Sequence, residues 1–202
     1  MEEYAIIILA AGNSSRMGQA KQLLQIHGKT LLKRTIDQAR TLLPRSVYVV
    51  TGANEDAISS ELCMDHSIHT YHNASWREGM ASSIKTGLVA VQADNPAIKG
   101  CVISVCDQPF LTAEIYGQLI STHRHNPRSI VASAYKDTSG VPVLFDRHYF
   151  PLLMELTGQE GAKKILHSQT PQVLHVPFPN GHIDLDTPED YYKYLSKAAK
   201  RE

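Results

Sequence analysis

Apolar runs rich in β-branched residues alternate with segments of helical period through the first two thirds of the chain. The runs predict strands at Tyr4–Leu9, Val47–Thr51, Ser67–Tyr71, Cys101–Val105, Ile130–Ala134 and Val141–Phe145. The segments between them predict helices at Thr30–Leu43, Glu55–Leu62, Gly79–Ala93 and Thr112–His125. Two of the strands are continuously apolar instead of alternating, which is typical of strands buried on both faces of a parallel sheet. The pattern therefore predicts the α/β class, with helices on both sides of a mostly parallel sheet.

The last third of the chain changes this rhythm. Val141–Phe145, Pro151–Leu156 and Val173–Val176 come close together, as strands added to a mixed sheet would. A final helix is predicted after Thr187, which suits the N-cap position, because Pro188 and two acids follow it in the first turn. No repeat or Ser/Pro-rich linker interrupts the sequence, so residues 1–202 are expected to form a single domain.

Composition narrows the range of partners. The chain carries 20 Lys and Arg against 20 Asp and Glu, a net charge of zero. This balance argues against a nucleic-acid or membrane-surface partner, and it means that an anionic ligand must be held by a few local cations and backbone N–H groups. No apolar stretch is long enough to cross a bilayer. Cys101 and Cys106 lie five apart on a predicted strand and face opposite sides, so no disulfide is expected and the cytoplasm is the expected location.

A loop of small residues follows the first predicted strand. In Gly12–Gly18, glycine permits positive φ and close backbone approach, so that successive N–H groups can converge on phosphate oxygens. Arg16 and Lys21 add positive charge. The loop is not a Walker A motif, since no Gly-Lys-Ser/Thr follows, and it lacks the third glycine of the dinucleotide fingerprint. The alternative is a plain strand-to-helix loop with two surface cations.

Three acids are candidates for metal binding. Asp107 follows the central predicted strand, and Mg²⁺ prefers one or two carboxylates together with phosphate oxygens and water. Asp184 and Asp186 alternate in a short segment and can project to one side. The alternatives are that Asp107 belongs to a turn, and that Asp186 with Thr187 merely opens the last helix.

Three further segments carry weaker signals. Ser82 lies at the start of a predicted helix, where a hydroxyl can meet a sugar or phosphate, and Trp76 before it is more typical of a packed core. Lys163 and Lys164 follow two glycines and could approach an anionic second substrate, although a solvated helix face is the simpler interpretation. The spacing of the histidines at 66, 69, 72, 123 and 125 is poor for a metal site.

Six segments, taken in order, resemble the MobA-like molybdenum cofactor nucleotidyltransferases, within the wider family of sugar-nucleotide and isoprenoid cytidylyltransferases. They are Leu9–Gly18 with Lys21, Asn73–Ile84, Cys106–Leu111, Gly140–Val143, Gly158–Lys164 and Ile183–Tyr191. The resemblance implies a three-layer α/β/α Rossmann-like nucleotide-diphospho-sugar transferase fold with a mixed, mostly parallel sheet. It also implies Mg²⁺-dependent transfer of a nucleotidyl group from an NTP to a phosphorylated acceptor, with release of pyrophosphate.

The resemblance also implies roles for individual residues. Gly12, Arg16 and Lys21 are similar to triphosphate contacts, and Leu9, Ala10 and Ala11 to the lining of the base and ribose pocket. Ser82 is expected to contact the nucleotide, Asp107 is similar to the metal-binding acid, and either Asp184 or Asp186 is the second acid near the metal. Catalysis is expected from Lys21, Arg16 and Asp107.

The pair Ala10-Ala11 is similar to the cytidylyl branch of the family, whereas the guanylyl branch usually carries Ala-Gly at these positions. This implies transfer of CMP from CTP to molybdopterin or the molybdenum cofactor, for a partner of the xanthine dehydrogenase type in purine catabolism. The alternatives are a non-catalytic carrier of the molybdenum cofactor and a cytidylyltransferase acting on another phosphorylated acceptor. The carrier is disfavoured because it has no need of Lys21, Arg16 and Asp107 together.

Overall fold

The described part of the chain contains nine strands and seven α-helices. The computed structural model describes residues 2–63, 65, 67–169 and 172–198. The strands are β1 (Tyr4–Leu9), β2 (Gln25–Ile26), β3 (Lys29–Thr30), β4 (Val47–Thr51), β5 (His69–His72), β6 (Gly100–Val105), β7 (Ile130–Tyr135), β8 (Thr138–Asp146) and β9 (Val173–Pro177). The helices are α1 (Leu31–Arg40), α2 (Glu55–Leu62), α3 (Met80–Asp94), α4 (Ala113–His125), α5 (Phe150–Glu155), α6 (Ala162–Ser168) and α7 (Pro188–Ala198).

Seven of the strands form one sheet in the order β5-β4-β1-β6-β8-β7-β9, and β2 and β3 form a separate hairpin. Strand β8 is antiparallel to both of its neighbours, while the other pairs are parallel. Ile7 of β1, which lies between β4 and β6, is opposite Tyr48 on one side and Ile103 on the other. Because β1 and β6 are parallel neighbours, the segments that follow them emerge at the same edge of the sheet.

Two buried clusters cover the two faces of the sheet. One contains apolar residues of α1, α2 and α4, and the other contains those of α3, α5 and α6. Cys106 belongs to the first cluster and Cys101 to the second, so the two thiols face opposite sides as predicted, and both are free. The predicted α/β class with three layers and a mostly parallel sheet is confirmed.

One predicted element is wrong. The segment Pro151–Leu156, expected to add a strand, lies mostly in the helix α5. Phe150 and Leu153 are buried three residues apart, which places them on one helical face, and Pro151 sits in the first turn, where its missing N–H costs nothing. Several boundaries also differ: α1 ends at Arg40, β5 begins at His69 and β8 begins at Thr138, each two or three residues from its predicted position.

The last helix begins as the sequence predicts. Pro188 is its first residue, and the Thr187 hydroxyl accepts a hydrogen bond from the Asp190 N–H at 3.2 Å. The Asp190 carboxylate in turn accepts from the Thr187 N–H at 3.1 Å, which completes a reciprocal cap. None of the described helices is both long and apolar enough to span a membrane.

Candidate active site

The loop after β1 is folded around the buried side chain of Gln22. The Gln22 amide donates hydrogen bonds of 2.9 Å to the carbonyls of Ala10 and Gly12, and its oxygen accepts from the Ser14 hydroxyl at 3.3 Å. Ser14 and Gly18 adopt positive φ values of 53° and 73°, which turn the chain sharply. The loop therefore has a fixed shape. Sequence reasoning missed Gln22, because a glutamine beside a lysine carries no signal of burial.

Lys21 joins the loop to two of the predicted acids. Its ammonium group contacts the Asp107 carboxylate and donates to Asp186 Oδ1 at 2.8 Å. Arg16 donates to the other Asp186 oxygen, Oδ2, also at 2.8 Å. The Leu185 N–H donates to the Asp107 carbonyl at 3.0 Å, which fixes the C-terminal segment to the end of β6. The structure thus brings together the predicted cations and acids from three distant parts of the sequence.

The charges of this cluster shift one another. Partial burial, together with the charges of Asp107 and Asp186, raises the pKa of Asp184 to about 6. Burial alone would raise the pKa of Asp186, but Lys21 and Arg16 more than offset it and the pKa is lowered. Burial alone would lower the pKa of Lys21, but Asp107 and Asp186 raise it above its ordinary value. Lys21 is therefore a permanent cation, and Asp184 is less stable as a carboxylate than an ordinary aspartate is.

Asp107 offers a carboxylate oxygen that suits a divalent cation. Its Oδ1 atom is buried and has no hydrogen-bond partner among the described residues. Within that part of the chain, no group of three or more His, Cys, Asp or Glu side chains is arranged to hold a metal by itself. Mg²⁺ commonly takes only one or two carboxylates from the protein and the rest of its ligands from phosphates and water. Asp107 with Asp184 or Asp186 is a donor set of that kind.

A first cavity of about 520 Å³ opens beside the loop. Five of the residues predicted to bind nucleotide or metal line it: Leu9, Ala11, Gly12, Lys21 and Asp107. Ala10 is fully buried behind this wall, and Arg16 is exposed beside Asp186. A Cβ atom at Gly12 would have no protein atom within 4 Å apart from its chain neighbours, so the space beside this backbone is open to a ligand.

The opposite wall of the first cavity comes from the start of α3. Ser83, rather than the predicted Ser82, lines the cavity. The Ser82 hydroxyl instead donates to the Gly79 carbonyl at 2.8 Å. The Asn73 amide donates to both hydroxyls, at 2.8 Å to Ser82 and 2.9 Å to Ser83. Trp76, for which core packing was the expectation, lines the cavity as well.

Gly79 sets the position of this wall. Its φ is 117°, and a Cβ atom there would lie 2.3 Å from the carbonyl oxygen of Gly158. The Ala81 N–H donates to the same carbonyl at 3.1 Å, which brings Gln159 onto the cavity. Lys163 and Lys164 are not among the residues that line it, and Lys164 pairs with Glu160 at 2.6 Å. These two lysines lie on an exposed helix face.

The histidines at 69, 72, 123 and 125 all contact other protein groups. His69 contacts Asp94 at 3.2 Å and His72 contacts Glu55 at 2.8 Å. His123 is buried, and its two ring nitrogens contact the Tyr4 hydroxyl at 3.0 Å and Asp146 at 2.9 Å. His125 contacts the Ser121 carbonyl, and His66 lies outside the described residues.

One family model matches most of the chain. Residues 6–173 match the MobA-like NTP transferase domain. The chain is 28% identical to the nicotine blue oxidoreductase of Paenarthrobacter nicotinovorans, over 94% of this chain and 95% of that protein. It is 27% identical to the molybdenum cofactor cytidylyltransferase of Escherichia coli and 28% identical to the purine catabolism protein PucB of Bacillus subtilis, each over 92% of both chains.

Solved structures agree with this assignment of the fold. A homolog of Mycobacterium tuberculosis rv0371c from Mycobacterium sp. strain JC1 superposes with a TM-score of 0.83 at 28% identity, covering 99% of this chain and 98% of that one. Rv0371C of M. tuberculosis H37Rv in complex with manganese superposes with a TM-score of 0.77 at 26% identity, covering 96% and 99%.

Proposed function

We propose that this chain, which belongs to the MobA-like NTP transferase family, transfers CMP from CTP to the phosphate of molybdopterin or the molybdenum cofactor and releases pyrophosphate. The observation that carries the proposal is the position of Lys21, held by Asp107 and Asp186 at the wall of the first cavity. A cation and an unpartnered carboxylate oxygen at one point suit a triphosphate and its metal. The relative from E. coli, named a molybdenum cofactor cytidylyltransferase, supports the choice of acceptor.

The chemistry requires positioning more than activation. The nucleophile is a phosphate of the acceptor, which is already an anion, and it attacks the α-phosphorus of CTP in line with the departing pyrophosphate. Lys21 and Arg16 donate hydrogen bonds to the phosphate oxygens and offset the charge that builds on them. The fixed loop around Gln22 holds the backbone N–H groups in place before the substrate arrives. When bound by Asp107 and Asp184 or Asp186, Mg²⁺ supplies further positive charge to the reacting phosphates, and the manganese complex of the mycobacterial structure supports a divalent ion.

The preference for cytidine rests on Ala11. Ala11 lines the first cavity, and its Cβ and carbonyl oxygen lie 2.8 Å and 2.7 Å from the place that a Cβ on Gly52 would take. Only a glycine at position 52 therefore leaves room for Ala11 where it stands. We propose that Ala11 takes up room that a purine needs, so that the smaller pyrimidine is favoured. Ala11→Gly is expected to improve the use of GTP relative to CTP.

A second candidate is an oxidoreductase. It is favoured by the relative named nicotine blue oxidoreductase, whose identity to this chain is as high as that of the named transferase. Hydride transfer from a nicotinamide requires neither a lysine nor an unpartnered carboxylate oxygen beside the nucleotide. Lys21 and Asp107 Oδ1 therefore favour the transferase. The distinction is made by the assay below.

The test is thermal unfolding with CTP, GTP or ATP, each with Mg²⁺, followed by measurement of pyrophosphate release from CTP and molybdopterin. A ligand at a hundred times its Kd stabilises by about 2.7 kcal/mol, which for this size corresponds to roughly 5–10 °C. CTP is expected to give the largest shift. Equal shifts for all three nucleotides would remove the cytidine assignment, and no shift would favour the carrier. Oxidation of NADPH without pyrophosphate release would favour the oxidoreductase.

A relative's name and the free cysteines bear on the partner and the location of the protein. PucB is named for purine catabolism, which supports a molybdenum hydroxylase of the xanthine dehydrogenase type as the partner. The three free cysteines suit the reducing cytoplasm. We further propose that the chain acts as a single domain, because the seven-stranded sheet includes strands from residue 4 to residue 177.

A further inference from the structure

A second cavity, of about 460 Å³, opens at the edge of the sheet opposite the candidate active site. Tyr4 and Gly100, the first residues of β1 and β6, lie opposite each other, and Gly100 also lies opposite Asp146 at the end of the antiparallel β8. Tyr4 and Asp146 both line the cavity. The loop of the candidate active site and Asp107 follow the other ends of β1 and β6, about 16 Å away at 3.3 Å per residue. The second cavity is therefore separate from the first.

Backbone hydrogen bonds hold the chain segments around this cavity side by side. The Lys99 N–H donates to the Glu3 carbonyl at 2.8 Å, and the Arg147 N–H donates to the Lys99 carbonyl at 2.8 Å. The Tyr149 hydroxyl donates to the Arg128 carbonyl at 3.1 Å. Lys99, Arg128 and Arg147 all line the cavity, so three cations are carried by a backbone that these bonds fix.

The second cavity has an excess of positive charge. Four cations and two carboxylates line it: Lys99, Arg124, Arg128, Arg147, Glu3 and Asp146. Glu3 pairs with Lys99 at 2.5 Å. The Arg147 guanidinium donates to the Pro96 carbonyl at 2.5 Å, an acceptor without net charge. The Arg128 guanidinium makes no hydrogen bond or ion pair within the residues that the structure describes. Four positive against two negative charges leave an excess of two.

The second carboxylate is already engaged by protein groups. Asp146 Oδ2 contacts His123 Nε2 at 2.9 Å, and Oδ1 accepts from the His148 N–H at 2.8 Å. The other ring nitrogen of His123 contacts the Tyr4 hydroxyl at 3.0 Å. Burial lowers the pKa of His123, and Asp146 offsets this only in part, so the ring adds no charge at neutral pH. Asp146 is thus not available to the arginines of the cavity.

Arg128 is held in an unfavourable backbone conformation. Its φ is 63°, in the left-handed region that favours glycine. The Ser129 hydroxyl donates to the Asn126 carbonyl at 2.7 Å and closes the turn around it. The turn itself does not require an arginine, and strained residues of this kind concentrate at binding sites. A ligand for the guanidinium gives this residue a role.

We infer that the second cavity binds a small phosphate ester through its dianionic phosphate group, with Arg128 and Arg147 as the main contacts. The two charges of the phosphate match the excess of two, and its oxygens suit the paired donors of a guanidinium. A volume of about 460 Å³ lies in the range of small-molecule sites, which leaves room for an organic part. The inference does not depend on the proposed function, because none of these residues belongs to the first cavity.

The experiment is a titration of the ¹⁵N-labelled full chain with inorganic phosphate, followed through the amide signals in two-dimensional NMR. Sodium chloride keeps the ionic strength constant. In the wild type, the signals of Lys99, Arg124 and Arg147 are expected to shift and to saturate together. The signals of Gly12–Lys21 report separately on the candidate active site, so binding at either place is seen independently.

Arg128→Gly is the variant that tests the site most directly. It removes the guanidinium and supplies the residue that this φ favours, so it is expected to fold at least as stably as the wild type. It is expected to bind phosphate at the second cavity about tenfold or more weakly, because a hydrogen bond between charged groups contributes about that factor in affinity. Arg147→Ala, on a separate segment, is expected to weaken binding as well.

The matched control is Lys136→Gly. Lys136 is another cation at positive φ, 50°, in the turn between β7 and β8, and it is not among the residues that line the second cavity. Its replacement is expected to leave the Kd measured at Lys99, Arg124 and Arg147 unchanged.

The outcomes decide the inference without reference to the transferase. Weaker binding in Arg128→Gly but not in Lys136→Gly would support the site, whether or not the chain releases pyrophosphate from CTP. The absence of a saturable shift at the second cavity would overturn it, as would an equal Kd for Arg128→Gly and the wild type. Equal shifts with chloride in place of phosphate would also overturn it. Phosphate binding at Gly12–Lys21 alone would reject the second site and leave the proposed transferase standing.

Discussion

Replacing Lys21 by Met leaves Asp107 and Asp186 without the cation that both contact. The side chains of Lys21, Asp107 and Asp186 are 20%, 14% and 30% exposed, between the fully buried and the solvated case. Removing one partner costs about 3–5 kcal/mol for a buried ion pair and about 0–1 kcal/mol for an exposed one. Arg16 still contacts Asp186 in the variant. We therefore expect a loss of about 1–2 kcal/mol in the free energy of unfolding.

The assay is thermal unfolding of Lys21→Met and wild type, with EDTA or with Mg²⁺. A chain of this length changes its Tm by about 2–4 °C per kcal/mol, so the loss in EDTA is expected to be roughly 2–8 °C. Mg²⁺ is expected to recover part of it, because two carboxylates without a lysine between them bind the ion better. Turnover is expected to fall about a hundredfold or more in either condition, the scale of losing one preorganised charge.

The matched control is Lys29→Met. Lys29 pairs with Asp37 at 2.6 Å, but the two side chains are 60% and 42% exposed, so the expected loss is about 1 kcal/mol or less and independent of metal. Unfolding of Lys21→Met at the wild-type temperature in EDTA would contradict this expectation. A difference in Tm that Mg²⁺ leaves unchanged would contradict it as well.

Three further changes test other parts of the structure. Gly79→Ala places a Cβ 2.3 Å from a backbone carbonyl oxygen, at a residue with positive φ, and is expected to lower the free energy of unfolding by about 2 kcal/mol or more. Its control is Gly117→Ala inside α4, where the nearest atom is 3.8 Å from the new Cβ, and this variant is expected to be neutral or to stabilise by up to about 1 kcal/mol. Equal melting temperatures for the two variants would contradict this expectation. Gln22→Ala leaves two carbonyls of the loop without their hydrogen-bond donor, so it is expected to lower the free energy of unfolding by about 1–3 kcal/mol and to weaken CTP binding. An unchanged Kd for CTP would count against the loop as the phosphate site. The raised pKa of Asp184, about 6 against an ordinary 3.8, means that the folded state binds this proton more tightly than the unfolded state, so the contribution of Asp184 to the free energy of unfolding is expected to fall as the pH rises from about 4 through 6. Asp184→Asn removes this dependence, and denaturant titrations that show parallel pH profiles for the two proteins would disprove it.

The sheet could be predicted closely because its strands carry a local signal. The bounds of β1 and β4 coincide with the predicted ones, because buried parallel strands are continuous apolar runs. The bounds of the helix α2 coincide as well. The convergence of Lys21 and Asp107 follows from the same fact, because the ends of parallel neighbours meet at one edge. The segment 151–156 was misread because six residues with four apolar ones fit a short strand and a short helix equally well.

The parts that escaped prediction depend on tertiary contacts. The choice of Ser83 over Ser82 depends on where α3 begins, which the positive φ of Gly79 decides, and one residue rotates a helical side chain by about 100°. The burial of Gln22 depends on carbonyls that the turn aims inward.

The contact between Lys21 and Asp186 spans 165 positions of the sequence. During synthesis, the strand and loop that wall the first cavity leave the ribosome long before the segment that supplies Asp184 and Asp186. A nascent chain that ends before residue 184 has Lys21 and Asp107 but lacks both C-terminal acids and the whole of α7. The charged cluster is thus complete only when nearly all of the protein has been made, so an unfinished chain has Lys21 without one of its two carboxylate partners.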